Sequence, residues 1–148
     1  MNSNLEVGRG SLVISTDPSR LDMDVICDFL SRSYWASSRP RDRIEASFRN
    51  SFVFGVYDGA RQIGMARLVT DSVTFAWLCD VFVDEAYRGR GVGQWLLQTI
   101  VTHPQMQSIK RILLATDDAQ SLYRQFGFTP VEYPEGWLEL FRKELRDA

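Results

Sequence analysis

The residues most able to do chemistry sit together at Arg88-Gly89-Arg90-Gly91-Val92-Gly93, between an apolar run (Trp77 to Val83) and a second apolar stretch (Val92 to Val101). Glycine lets a ligand approach the backbone closely and admits positive φ. If a helix begins here, its first N–H groups have no intrahelical partner, and the helix dipole adds about half a positive charge at the same place. Arg88 and Arg90 add two permanently charged forks that match phosphate oxygens. The junction therefore reads as an anion site, and a diphosphate is its natural guest. The second residue of interest is Asp80, the one acid inside the Trp77 to Val83 run. A carboxylate among apolar neighbours is costly unless it is hydrogen-bonded or functional. Asp80 is read either as a catalytic base or amine-binding group, or as a structural hydrogen-bond acceptor.

Several chemistries are set aside. No Lys-Ser or Lys-Thr follows the glycines, as a P-loop requires. The glycines also come past mid-chain, whereas a Rossmann fingerprint opens the first strand-to-helix turn. His103 is the sole histidine, so His-based metal sites and triads are not expected, and it is read as a helix-end cation. Cys27 and Cys79 lie within apolar segments without Cys-x-x-Cys spacing, so they read as buried free thiols and no metal is expected. With a net charge of −2, general attraction to nucleic acid or to an anionic membrane is not expected. No apolar run reaches the roughly 18 residues of a membrane span, and the polar start lacks a signal peptide's apolar centre. The expectation is a single cytoplasmic domain over residues 1–148.

Around these residues the sequence predicts an α+β fold. "LVIST" (Leu12 to Thr16) reads as a first strand. After Asp22 as N-cap, Val25, Ile26, Phe29, Leu30 and Tyr34 follow helical spacing, and "RIEASFRN" is long enough for a second helix. "FVFGVYD", "QIGMARLVTD" and "VTFAWLCDVFV" read as three hairpin-linked strands. Gly91 to Thr102 reads as a helix and Arg111 to Ala115 as a parallel return strand. "DDAQSLYRQFGF" reads as a short helix closed by Gly127, and "FTPVEY" and "WLELFRKE" as two last strands. The order ββββαβαββ, with helices after the first strand, implies a central mixed sheet flanked by helices. An edge strand near the C-terminus could support a homodimer.

Arg88 to Gly93 resembles the Arg/Gln-x-x-Gly-x-Gly/Ala signature of the GNAT acetyltransferase superfamily, and Ala119, Leu122, Tyr123, Gly127 and Phe128 resemble its second motif. This resemblance implies a central mixed, mostly antiparallel sheet with a V-shaped cleft between two parallel strands. It implies acetyl-coenzyme A as co-substrate, its pyrophosphate held at Arg88, Gly89, Arg90, Gly91, Val92, Gly93 and Gln94. Its pantetheine arm would pair with main-chain groups of Val81, Phe82 and Val83, with the Val81 N–H as oxyanion donor. Thr116 stands where many relatives carry a coenzyme-contacting asparagine. By the same resemblance Tyr123 is the acid that protonates the leaving thiolate. For the base, Asp80 and ordered water both remain open. The arginines 32, 39, 41, 43 and 49 read as solvated faces, or as receivers of an acidic acceptor beside Tyr34 and Trp35. The implied function is acetyl transfer from acetyl-coenzyme A to a primary amine. A non-catalytic acyl-coenzyme A sensor, or a transferase using a longer or succinyl donor, are the alternatives. The acceptor stays open among small amines, amino acids, antibiotics and proteins.

Overall fold

In the computed structural model, which describes residues 4–145, six strands form one sheet in chain order. They are β1 (Glu6–Arg9), β2 (Leu12–Ser15), β3 (Phe52–Asp58), β4 (Arg61–Thr70), β5 (Phe75–Val83) and β6 (Arg111–Leu113). Neighbours are antiparallel from β1 to β5, and β6 runs parallel to β5. The helices are α1 (Met23–Ser31), α2 (Arg41–Arg49), α3 (Val92–Thr102), α4 (Pro104–Gln107) and α5 (Gln120–Arg124). The mixed α+β architecture is the one the sequence pattern implies.

Both faces of the sheet are covered, which explains why β3 and β4 read as nearly continuous apolar runs rather than alternating ones. On one face Phe54, Ala66, Leu68 and Leu78 pack with Leu96, Leu97 and Ile100 of α3. On the other, Val53, Met65 and Phe82 pack with Ile26, Phe29 and Leu30 of α1 and with Ile44 and Phe48 of α2. The Asp22 side chain caps α1 by accepting from the Val25 N–H at 3.2 Å. Gly127 closes α5, where the Phe128 N–H reaches the Tyr123 carbonyl at 3.3 Å.

Three expectations are corrected. A strand precedes "LVIST": β1 folds back on β2 through a hairpin at Gly10, and its exposed, polar composition hid it. The return strand ends at Leu113, two residues early. "FTPVEY" and "WLELFRKE" join no ladder among the described residues, where the segment holds only a 3-10 turn at Pro134–Gly136. Strand propensity is realised only where a segment pairs with a partner edge, and among the described residues this arm pairs with none. Leu138, Leu140 and Phe141 are instead 93%, 78% and 70% exposed. No helix among the described residues is long and apolar enough to cross a membrane.

Candidate active site

The site begins with a mismatch in strand length. β5 pairs with β6 only at Phe75, Ala76 and Trp77, after which β6 ends and β5 continues to Val83. From Leu78 onward the edge of β5 that faces β6 has no ladder among the described residues, and a wedge opens between the two parallel strands. The other edge of β5 carries a bulge. Met65 pairs with Phe82 and Arg67 with Cys79, so Asp80 and Val81 together oppose the single residue Ala66. Asp80 takes φ +51° to make room, a left-handed conformation that aspartate tolerates better than most residues. The extra residue switches the strand's faces: Leu78 packs under α3, whereas Phe82 packs under α1 and α2. A cavity of about 860 Å³ fills the wedge between β5, the loop after β6 and the α1–α2 side.

Asp80 lines this cavity and is 3% exposed. Its Oδ1 accepts from Trp35 Nε1 at 2.8 Å, and its Oδ2 from Arg39 at 2.9 Å and Arg67 Nε at 2.7 Å. Burial pushes its carboxyl up, but the charges of Arg67 and Arg39 and the hydrogen bonds from Arg67 and Trp35 outweigh it and hold the group below the usual carboxylate value. A carboxylate so engaged is a weak proton acceptor, so the geometry fits the structural acceptor reading better than the base. Arg67 was not singled out in the sequence. Its signal was present all the same: it is the one cation in the apolar interior of β4, past Arg61 at the strand's start, and β5 holds a lone acid.

At the opposite end of the wedge, Gly89 and Gly91 have φ of +78° and +74°, so glycine is required at both. Gly91 is the N-cap of α3 and offers no side-chain cap, leaving the first-turn N–H groups of Val92, Gly93 and Gln94 pointing out of the helix start. Around Gly89, a side-chain carbon would meet nothing within 4 Å, which marks open space above the turn. Arg88 stacks over Phe82 at 5.2 Å and donates through Nε to the Val83 carbonyl at 2.9 Å, tying the loop to the end of β5. Arg90 lies over the Tyr87 ring at 5.2 Å. Arg9, another residue the sequence reading passed over, holds the Gly91 carbonyl at 3.2 Å.

Tyr123 is 9% exposed and borders the cavity. Burial, with smaller contributions from Tyr34 and Asp118, pushes its phenol up to about 12, so the hydroxyl keeps its proton at neutral pH. Thr116 lies on the cavity lip, where its hydroxyl accepts from the Ala119 N–H at 3.2 Å and so helps start α5. Asp80, Val81 and Tyr123 thus border one cavity, while the Arg88 to Gln94 turn lies beyond the end of β5. His103 stands apart. Burial lowers its pKa, and its Nδ1 accepts from the Gln105 N–H at 3.1 Å, so it is the neutral N-cap of α4 and not the helix-end cation expected. Both cysteines are free, and burial raises both thiols, Cys79 to about 11.

Residues 49–130 match the family model described as an acetyltransferase (GNAT) domain. The chain belongs to the GNAT family and is an N-acetyltransferase of it. It is 32% identical over 136 residues to a Gibberella zeae protein that carries an acetyltransferase designation, across 78% of this chain and 77% of that one. The histone acetyltransferase TAP1 of Glycine max is 29% identical across 81% of this chain, which spans 55% of that protein's length. A solved Xanthomonas campestris structure assigned to the GNAT family superposes with a TM-score of 0.87 at 37% identity, covering 93% of this chain and 98% of that one. A Clostridium acetobutylicum acetyltransferase solved with acetyl-coenzyme A shares the fold at TM-score 0.59 and 14% identity, over 82% of this chain and 92% of that one.

Proposed function

We propose that the protein transfers an acetyl group from acetyl-coenzyme A to a primary amine by direct attack. The observation that carries this reading is the unpaired edge of β5, which runs from the cavity toward the uncapped turn at Gly91. Buried main-chain groups must find partners, and an extended pantetheine arm along Val81, Phe82 and Val83 supplies them as a missing strand would. Its pyrophosphate then meets the N–H groups of Val92, Gly93 and Gln94 with Arg88 and Arg90 beside them, and Thr116 borders the thioester end. The amine nitrogen attacks the thioester carbon while the Val81 N–H holds the oxyanion. The carbon–sulfur bond breaks, the thiolate takes the Tyr123 proton, and water relays the proton lost by the amine back to the Tyr123 phenolate. Asp80 fixes Arg39, Arg67 and Trp35 on the acceptor side and takes no proton.

Two free thiols suit a reducing compartment, and we place the protein in the cytoplasm on that ground. We also propose a homodimer. Among the described residues β6 has one neighbour only, and the apolar arm from Trp137 onward has a strand-like sequence that pairs with no strand.

The test follows free thiol while the protein is offered acetyl, succinyl and longer acyl-coenzyme A donors with a panel of amines. Thiol release with acetyl-coenzyme A and an amine supports the reading. A melting temperature raised by coenzyme A, with no thiol released from any pair, would identify a sensor. Faster release from succinyl-coenzyme A would change the donor.

A further inference from the structure

The two ends of the cavity differ in charge. On the α1–α2 side, Arg39, Arg43 and Arg67 line the cavity beside one carboxylate, Asp80, which Arg39 and Arg67 share. Arg67 also donates to the Ser51 hydroxyl at 3.0 Å. The Arg39 side chain is 7% exposed, yet its Nε has no hydrogen-bond partner. Arg43 is exposed and makes no ion pair among the described residues. Three cations against one anion leave this wall with two uncompensated positive charges, one of them on a group nearly removed from water. An unpaired buried charge is costly. The guest that relieves the deficit is an anion.

The other end has the opposite sign. Asp117 and Asp118 border the cavity on the loop after β6, and neither is ion-paired among the described residues. Asp118 is close enough for its field to reach Tyr123. Between the two ends, Trp35, Trp77 and Val69 present partly exposed apolar surface, at 36%, 38% and 45%.

We propose that the acceptor is a small amine that also carries a carboxylate, with its nitrogen at the Tyr123–Asp118 end, its carboxylate at Arg43 and Arg39, and an apolar body against Trp35 and Trp77. This rests on the acetyl-transfer reading and deepens it. A guanidinium fork matches a carboxylate in shape as well as charge, and the cavity has the size of small-molecule sites. A simple cationic amine meets the acidic end equally well but leaves the arginine wall uncompensated. The site therefore selects between amines by the anion at their far end.

Matched acceptors test this: 4-(aminomethyl)benzoate against 4-(aminomethyl)benzamide and benzylamine, and 6-aminohexanoate against hexylamine, each scored by kcat/KM from thiol release. The expected result is a preference for the carboxylate member of at least about tenfold in one of the two series, the size of one charge-assisted contact. Arg43→Gln, at an exposed position that the fold does not depend on, should cut that ratio at least about fivefold, and Arg43→Lys should restore part of it. Equal or better use of the carboxylate-free amines by the wild type overturns the proposal while leaving acetyl transfer standing. If no acceptor releases thiol, calorimetry of the protein–coenzyme A complex with the N-acetyl forms of the same compounds decides. Binding of the carboxylate forms that Arg43→Gln weakens supports the site, and equal or absent binding removes it. Acetyl transfer itself fails only when no amine in the panel reacts.

Discussion

At the scale of single residues, Tyr123 and Asp80 border the same cavity and are perturbed in ways that assign them different work. Burial holds the Tyr123 proton in place. Tyr123→Phe keeps the ring, its contact with Phe128 and the fold, and removes only the donor. Single-turnover acetyl transfer with saturating donor should fall about a hundredfold or more, with coenzyme A affinity unchanged. Transfer at the wild-type rate across neutral and alkaline pH would reduce Tyr123 to a packing residue. Asp80→Asn leaves Arg39 and Arg67 facing each other without their shared counter-charge, and should cost roughly 3 to 5 kcal/mol in urea unfolding. Because the folded Asp80 carboxyl lies below its unfolded value of 3.8, its stabilising effect is present above that pH and disappears as pH falls further. Wild-type stability should drop below about pH 4, and the drop should shrink in the Asn variant. If Asp80 were instead the base, Asp80→Asn would abolish transfer at a pH where the variant is still fully folded. The phenols of Tyr57 and Tyr123 act in the reverse direction. Both are raised by burial from 10.0 to about 12, so the stability they contribute is intact below about pH 10 and lost as pH rises toward 12.

At the scale of elements, the turn into α3 is held by two residues with left-handed backbone, and the two differ in what surrounds them. A side-chain carbon on Gly89 would meet open space, whereas one on Gly91 would sit 3.4 Å from Gln94 Oε1 and 3.5 Å from an Arg9 nitrogen. Each Ala substitution should cost about 1 to 2 kcal/mol from the left-handed conformation alone. Gly91→Ala also sets a methyl group at the N-cap beside the uncapped N–H groups, and should weaken coenzyme A more than Gly89→Ala at matched stability. Titration of each variant with coenzyme A, beside urea melts, separates backbone strain from lost binding. Equal binding losses in the two variants would mean that strain explains both.

At the scale of the whole molecule, coenzyme A bound across the wedge should stabilise the protein as if the sheet were completed. At a hundredfold excess over its dissociation constant, mass action gives about 2.7 kcal/mol, and a melting temperature unmoved by millimolar coenzyme A would contradict the site. The C-terminal arm is the second feature of this scale. Leu138, Leu140 and Phe141 face water in one chain, and among the described residues a strand edge stays open at β6. Sedimentation should report a dimer, and Leu140→Lys combined with Phe141→Lys should return a folded monomer. A wild-type monomer at micromolar concentration would leave the arm without this role.

The sequence by itself determined what depends on short spacings. Runs of branched and aromatic residues marked β3, β4 and β5, Asp22 and Gly127 marked helix ends, and the arginine–glycine hexapeptide marked an anion-binding helix start, because a few neighbouring residues fix each of those features. Asp80 stood out for the same reason, as one charge inside an apolar run. Its role did not follow from that, since the run cannot show which cations face it. Only the tertiary structure brought Trp35, Arg39 and Arg67 to its two oxygens, from positions 45, 41 and 13 residues away. The bulge that turns β5 over is a matter of register between two strands, and no single strand records it. β1 was missed because an edge strand with an exposed surface carries little apolar pattern. The C-terminal strands were over-read because propensity describes a segment, while a strand exists only where another backbone offers it hydrogen bonds.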